Sequence, residues 1–105
     1  MSKTIRSQVA LAVVICLASA VSFAQSGGEA TYKAKCAMCH GSTGAAETST
    51  AKMLKVKPAS DPDIRALTVD QIAAVVKNGK DKMHPVTGLT DAQIKDVAVF
   101  YHGLK

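Results

Sequence analysis

Tryptophan is absent from this chain of 105 residues, and two tyrosines and two phenylalanines are its only aromatics. A domain this short with so little aromatic bulk has little with which to build a self-sufficient hydrophobic core, so an additional staple is expected. There is no alternating strand pattern, which argues against a β architecture, and no internal repeat, which argues against a solenoid. A basic tract interleaved with aromatics is also missing, so nothing points to nucleic acid. No Gly-rich phosphate loop, general base or activated nucleophile stands out. The longest apolar run, Val9 to Ala20, is shorter than the roughly 20 residues a membrane-spanning helix needs.

That run has a different reading. Lys3 and Arg6 precede it, and Ser22-Phe23-Ala24 follows with small residues at the −3 and −1 positions of a cleavage site before Gln25. The three parts together predict a secretory signal peptide over residues 1–24 and a mature domain over 25–105, with no stable membrane span after processing. The chain carries 13 Lys and Arg against 8 Asp and Glu. Removal of Lys3 and Arg6 leaves eleven basic residues against those 8 acidic ones, a modest excess. Cys16 leaves with the leader, so Cys36 and Cys39 are the thiols of the mature domain.

What is present concentrates in one stretch, Cys36-Ala37-Met38-Cys39-His40. This is the C-x-x-C-H pattern of c-type haem attachment. Two thiolates about one helical turn apart can bond the two vinyl groups of one porphyrin, and the next residue offers an imidazole to the iron. Two other thiol chemistries compete. Structural zinc usually takes four protein ligands, and His84 and His102 are the remaining candidates, in unrelated contexts. A redox dithiol of thioredoxin type sits at a helix start after a strand, whereas this pair sits at the end of a helical pattern. Export favours haem, since attachment of this type takes place outside the cytoplasm.

The rest of the chain reads as helices and loops. Residues Glu29 to Cys39 predict a helix that ends near His40-Gly41, with Tyr32 on the same face as Cys36. Gly41 to Pro58 has loop composition, with a short helix through Ala51-Lys52-Met53-Leu54. Ser60-Asp61-Pro62 marks a helix start. Thr68-Val69-Asp70-Gln71 and Thr90-Asp91-Ala92-Gln93 are capping boxes. The first opens a helix that stops at Asn78-Gly79, and the second opens one with Ile94, Val97, Ala98 and Tyr101 on its apolar face.

Between those helices lies a loop, Lys80 to Leu89, carrying Met83, His84 and Pro85. A loop can fold over the open face of a haem, and a thioether ligand favours reduced iron. Met83 is the best-placed second axial ligand. His84 is the adjacent substitute, and an open iron site is the third possibility. Met53, among lysines, reads as a core filler. Met38 lies inside the attachment motif and is too constrained to reach the same iron. Among the lysines, Lys80 and Lys82 flank the Met83 loop and are the first candidates to steer an acidic redox partner.

These features resemble the class I cytochrome c family of small bacterial proteins. The likeness spans essentially all of residues 25–105. It rests on the C-x-x-C-H stretch, on Asn78-Gly79-Lys80-Asp81-Lys82-Met83, similar to the family's N-G-K-x-K-M-P loop, and on Leu89-Thr90-Asp91 before a helix ending in Phe100-Tyr101. Gly28 and Tyr32 match the glycine and aromatic with which the family's first helix crosses its last, and Phe100-Tyr101 matches the opposing aromatic. Two positions depart from the family. His84 separates Met83 from Pro85, and the proline that the family often places in the loop after the haem motif is missing, the nearest being Pro58, well downstream. The resemblance implies an all-α class I cytochrome c fold, with three main helices and short helical turns wrapped around one covalent haem c with its iron. It implies that Cys36 and Cys39 carry the thioethers, that His40 is the proximal ligand and that Met83 is the distal one. The expected protein is a monomeric periplasmic electron carrier serving redox partner proteins, and no enzyme. The rival is an open-site haem ligand binder or peroxidase-like protein, should Met83 not bind.

Overall fold

Helix-forming residues fill most of the chain. The computed structural model describes residues 27–104, and the expected leader lies outside them. A first helix, α1, covers residues 27–35. It is followed by α2 (Ala37–His40), α3 (Ser49–Leu54), α4 (Pro62–Arg65), α5 (Val69–Asn78) and α6 (Asp91–His102). No strand occurs among the described residues; a lone antiparallel bridge pairs Lys80 with Met83. The three longer helices are α1, α5 and α6, in keeping with the expected all-α class I cytochrome c fold.

The predicted start signals do form. Thr68 accepts from the Gln71 amide at 3.1 Å while its own amide donates to Oε1 of Gln71 at 2.9 Å. Thr90 and Gln93 repeat the arrangement at 3.1 and 2.9 Å. Each box satisfies two of the amides that a helix N-terminus leaves without partners. Asp61 accepts from the Asp63 amide at 2.9 Å, and Pro62 stands where the missing N–H costs nothing.

One expected continuous helix is distorted. Residues 29–39 were expected to run without interruption, but Cys36 has φ −118° and separates α1 from α2. The helical bonds into and out of it persist, from the Cys36 amide to the Tyr32 carbonyl at 2.8 Å and from the His40 amide to the Cys36 carbonyl at 2.9 Å. The stretched φ re-aims the turn that carries the motif without ending the helical path.

The core is small. Tyr32, Val76, Ile94 and Val97 form one buried cluster, and α5 packs directly on α6. Helix α1 reaches this cluster because Gly28 has no side chain. A Cβ there would run into the Asp96 backbone carbonyl and meet Cβ of Phe100 at 3.2 Å. Tyr32 then sets its ring 5.3 Å from that of Phe100. Gly28→Ala should gain about 1 kcal/mol of helix propensity. It should lose about 3 kcal/mol to overpacking, since the obstacle is backbone. A net loss of roughly 2 kcal/mol in denaturant unfolding of the holoprotein is expected; an unchanged or higher midpoint would contradict the crossing.

Candidate haem site

The motif turn is tied down at both ends. The Tyr32 hydroxyl, buried, donates to the Gly41 carbonyl at 2.6 Å, joining α1 to the residue that follows His40. Gly41 has φ +84°, a left-handed value that glycine adopts freely and that lets the chain leave α2 sharply. The Ala46 amide then returns to the His40 carbonyl at 2.9 Å. Thr48, within a stretch expected to be loop, caps α3 by accepting from the Ala51 amide at 3.0 Å. Its hydroxyl also donates to the Cys39 carbonyl at 3.0 Å, so one side chain fastens the motif to α3. The Thr-Ser-Thr run reads as loop by composition, but Thr48 before Ser49 is also a capping signal.

Tyr32→Phe should keep the ring packing and leave the Gly41 carbonyl without its donor, a loss of about 1–2 kcal/mol in unfolding. Burial pushes the Tyr32 hydroxyl from 10.0 up to about 12. The folded state therefore resists its ionisation. That contribution is held below pH 10.0 and is lost as pH rises toward about 12. Tyr32→Phe should remove this part of the alkaline destabilisation.

Cys36 and Cys39 are both half-buried. Burial, followed by the neighbouring Cys39, pushes the Cys36 thiol up. His40 sits edge-on to Tyr101 with ring centroids 5.5 Å apart, and Tyr101 in turn stacks on Tyr32 at 6.1 Å. Burial holds the His40 pKa below its usual value, favouring the neutral imidazole whose lone pair can bind a metal. Its Nδ1 is buried without a hydrogen-bond partner. The ring thus turns Nδ1 toward the interior. Among the described residues no backbone carbonyl accepts from it. The Tyr101 ring packs against the imidazole.

The Met83 loop is built by its backbone. Gly79 has φ +78°, and a Cβ on it would meet the Met83 carbonyl oxygen and Pro85 Cδ, each at 2.8 Å. Lys80 and Met83 exchange both amide-to-carbonyl bonds at 2.9 Å, with Asp81 at φ +52° between them. The Val86 amide donates to the Val76 carbonyl at 2.9 Å and fixes the loop to α5. Met83 is half-buried against the Tyr32–Val76–Ile94–Val97 cluster, as are Cys36 and Tyr101. His84, one residue on, is exposed. The inserted histidine departs from the sequence pattern, yet the loop still directs the thioether inward.

Met53 is not the core filler its sequence context suggested. It is 76% exposed, because α3 buries Ala51 and half-buries Leu54 on its inner side. Met38 is 80% exposed. Lys80 and Lys82 are exposed beside the Met83 loop. His102 is half-buried at the end of α6.

The residues fit a covalently held metalloporphyrin. Two thiols one turn apart precede a neutral imidazole with its Nδ1 turned inward, and a thioether loop packs on the same cluster. Zinc fits less well: among the described residues, no group of three or more His, Cys, Asp or Glu side chains could hold a metal ion. The described residues also include no helix long and apolar enough to cross a membrane. Two comparisons bear on the chain. A family model described as cytochrome C oxidase, cbb3-type, subunit III matches residues 24–100. No curated protein matches.

Proposed function

The chain belongs to the cytochrome c oxidase, cbb3-type, subunit III family, a class I c-type cytochrome family, and from that premise we propose a one-electron carrier of the periplasm with a His40/Met83-ligated haem. The family binds covalent haem c with its iron, and its cytochrome domains are generally electron carriers rather than enzymes and are typically exported. In this reading residues 25–105 are the mature monomer, released from a leader over 1–24. Cys36 and Cys39 carry the thioethers, His40 takes the proximal position and Met83 the distal one.

When bound, the group supplies a ferric–ferrous couple at its iron. The chain's residues do the rest. Cys36 and Cys39 would hold the porphyrin through thioether bonds. Tyr32 and Tyr101 keep the His40 ring in one orientation, and burial keeps it neutral. The bonds from Lys80 to Met83 and from Val86 to Val76 pre-position the thioether, so little backbone rearrangement accompanies a change of charge at the site. Lys80 and Lys82, exposed at the loop, give an acidic redox partner a charged approach that salt would weaken.

The observation that carries the reading is the half-burial of Met83 against the cluster that also supports Cys36 and Tyr101, beside an exposed His84. A redox titration of the holoprotein, followed by exposure to carbon monoxide and cyanide, tests the function. The carrier reading expects one reversible one-electron wave and slow or absent ligand uptake. Rapid uptake of either ligand would instead establish the open-site binder or peroxidase-like protein.

A further inference from the structure

Two methionine side chains are left largely uncovered by the rest of the chain: Met38 at 80% exposure and Met53 at 76%. Both belong to short helices that pack on each other, α2 and α3. Met83, by contrast, is half-buried, and its backbone N–H and carbonyl are both bonded to Lys80 at 2.9 Å. Thioethers react with hydroperoxides, and the resulting sulfoxide is polar, so it disrupts structure where the methionine was packed. At Met38 and Met53 there is little packing to disrupt.

We propose that Met38 and Met53 are surface oxidation sites for hydroperoxides, which react before Met83 and leave the fold intact. In each reaction the sulfur lone pair attacks one peroxide oxygen. An S–O bond forms as the O–O bond breaks, and the departing oxygen leaves as water or alcohol once protonated. The sulfur is oxidised by two electrons and the peroxide is reduced by the same two. The products make the Met38 and Met53 side chains polar while Tyr32, Val76, Ile94 and Val97 are untouched. The reaction at Met38 and Met53 stands on their exposure, whereas the slower conversion of Met83 rests also on the proposed bond to iron, which would occupy its sulfur lone pair.

The test is peptide mapping by mass spectrometry after the holoprotein is treated with limiting hydrogen peroxide, with circular dichroism on the same samples. Met38 and Met53 should each gain one oxygen, with Met83 converting more slowly, and the helical signal should stay unchanged. Met83 keeping pace, either exposed methionine remaining unmodified, or helicity falling as they convert would overturn the proposal. A Met38→Leu/Met53→Leu variant, which keeps apolar volume without sulfur, should show more Met83 sulfoxide at the same limiting dose. Equal Met83 sulfoxide in parent and variant would overturn the order of reaction.

Discussion

Cys36→Ser combined with Cys39→Ser is expected to abolish covalent haem attachment and, with it, most of the resistance of the chain to unfolding. The reason lies in what the protein chain buries by itself. Its main cluster is Tyr32, Val76, Ile94 and Val97, and its other buried hydrophobics include three alanines, Ala51, Ala59 and Ala98. Cys36 already packs on the main cluster. A porphyrin anchored there would extend the core over the inner side of the motif turn, at about 25 cal/mol for each Å² of apolar surface it covers. Serine keeps the size of cysteine but cannot form the thioether. The measurement is solvent extraction of haem from the exported protein, with limited proteolysis alongside. All haem should become extractable, and proteolysis should quicken at least tenfold, since roughly 1.4 kcal/mol of lost stability suffices for that factor. Haem that stays with the chain after extraction would show that attachment does not run through these thiols.

Met83→Ala is expected to lower the reduction potential by a few tenths of a volt, a sizeable part of the roughly 0.8 V range that axial ligands set. A thioether stabilises ferrous iron, and water or a nitrogen ligand in its place favours the ferric form. The variant should also take up carbon monoxide, which the parent should resist. His84→Ala is the internal comparison. Because His84 is exposed while Met83 is packed against the core cluster, its removal should leave the potential nearly unchanged. A large shift in His84→Ala with little in Met83→Ala would transfer the distal role to the histidine.

Much of this was legible in the residues because the signals are local. A Thr followed three positions on by Gln specifies a capping box from a few backbone and side-chain bonds, and both boxes formed as read. Asn78-Gly79 announced a helix stop for an equally local reason, the left-handed φ that Gly79 adopts. The pairing of Gly28 and Tyr32 with the end of α6 was legible only through the family resemblance, since nothing within α1 says which helix it will cross. The structure supplies the reason in the approach of Gly28 to the Asp96 carbonyl.

What could not be read depends on contacts between distant segments. Thr48 sits in a run with loop composition, and its bond to the Cys39 carbonyl follows from a chain reversal at Gly41 that no short pattern encodes. Met53 was misplaced for a related reason. A methionine near lysines is compatible with either face of a short helix, and the choice was made by Ala51 and Leu54 turning inward. The inserted His84 left open which of two adjacent residues faces the core. The Lys80–Met83 bridge and the anchor from Val86 to Val76 favour Met83, through backbone bonds that side-chain identity does not reveal. The orientation of His40 belongs to the same group, since it rests on the ring of Tyr101 from the far end of the chain.

The central claim is that His40 and Met83 hold opposite faces of one iron, and proton NMR of the ferrous holoprotein with labelled methionine tests it most directly. A methionine methyl held on the iron lies over the porphyrin ring, whose ring current moves its resonance far upfield. One such methyl is predicted, and it should disappear in Met83→Ala while persisting in a Met53→Leu variant. A ferrous spectrum without a strongly upfield methionine methyl, or one whose upfield methyl survives Met83→Ala, would contradict the account.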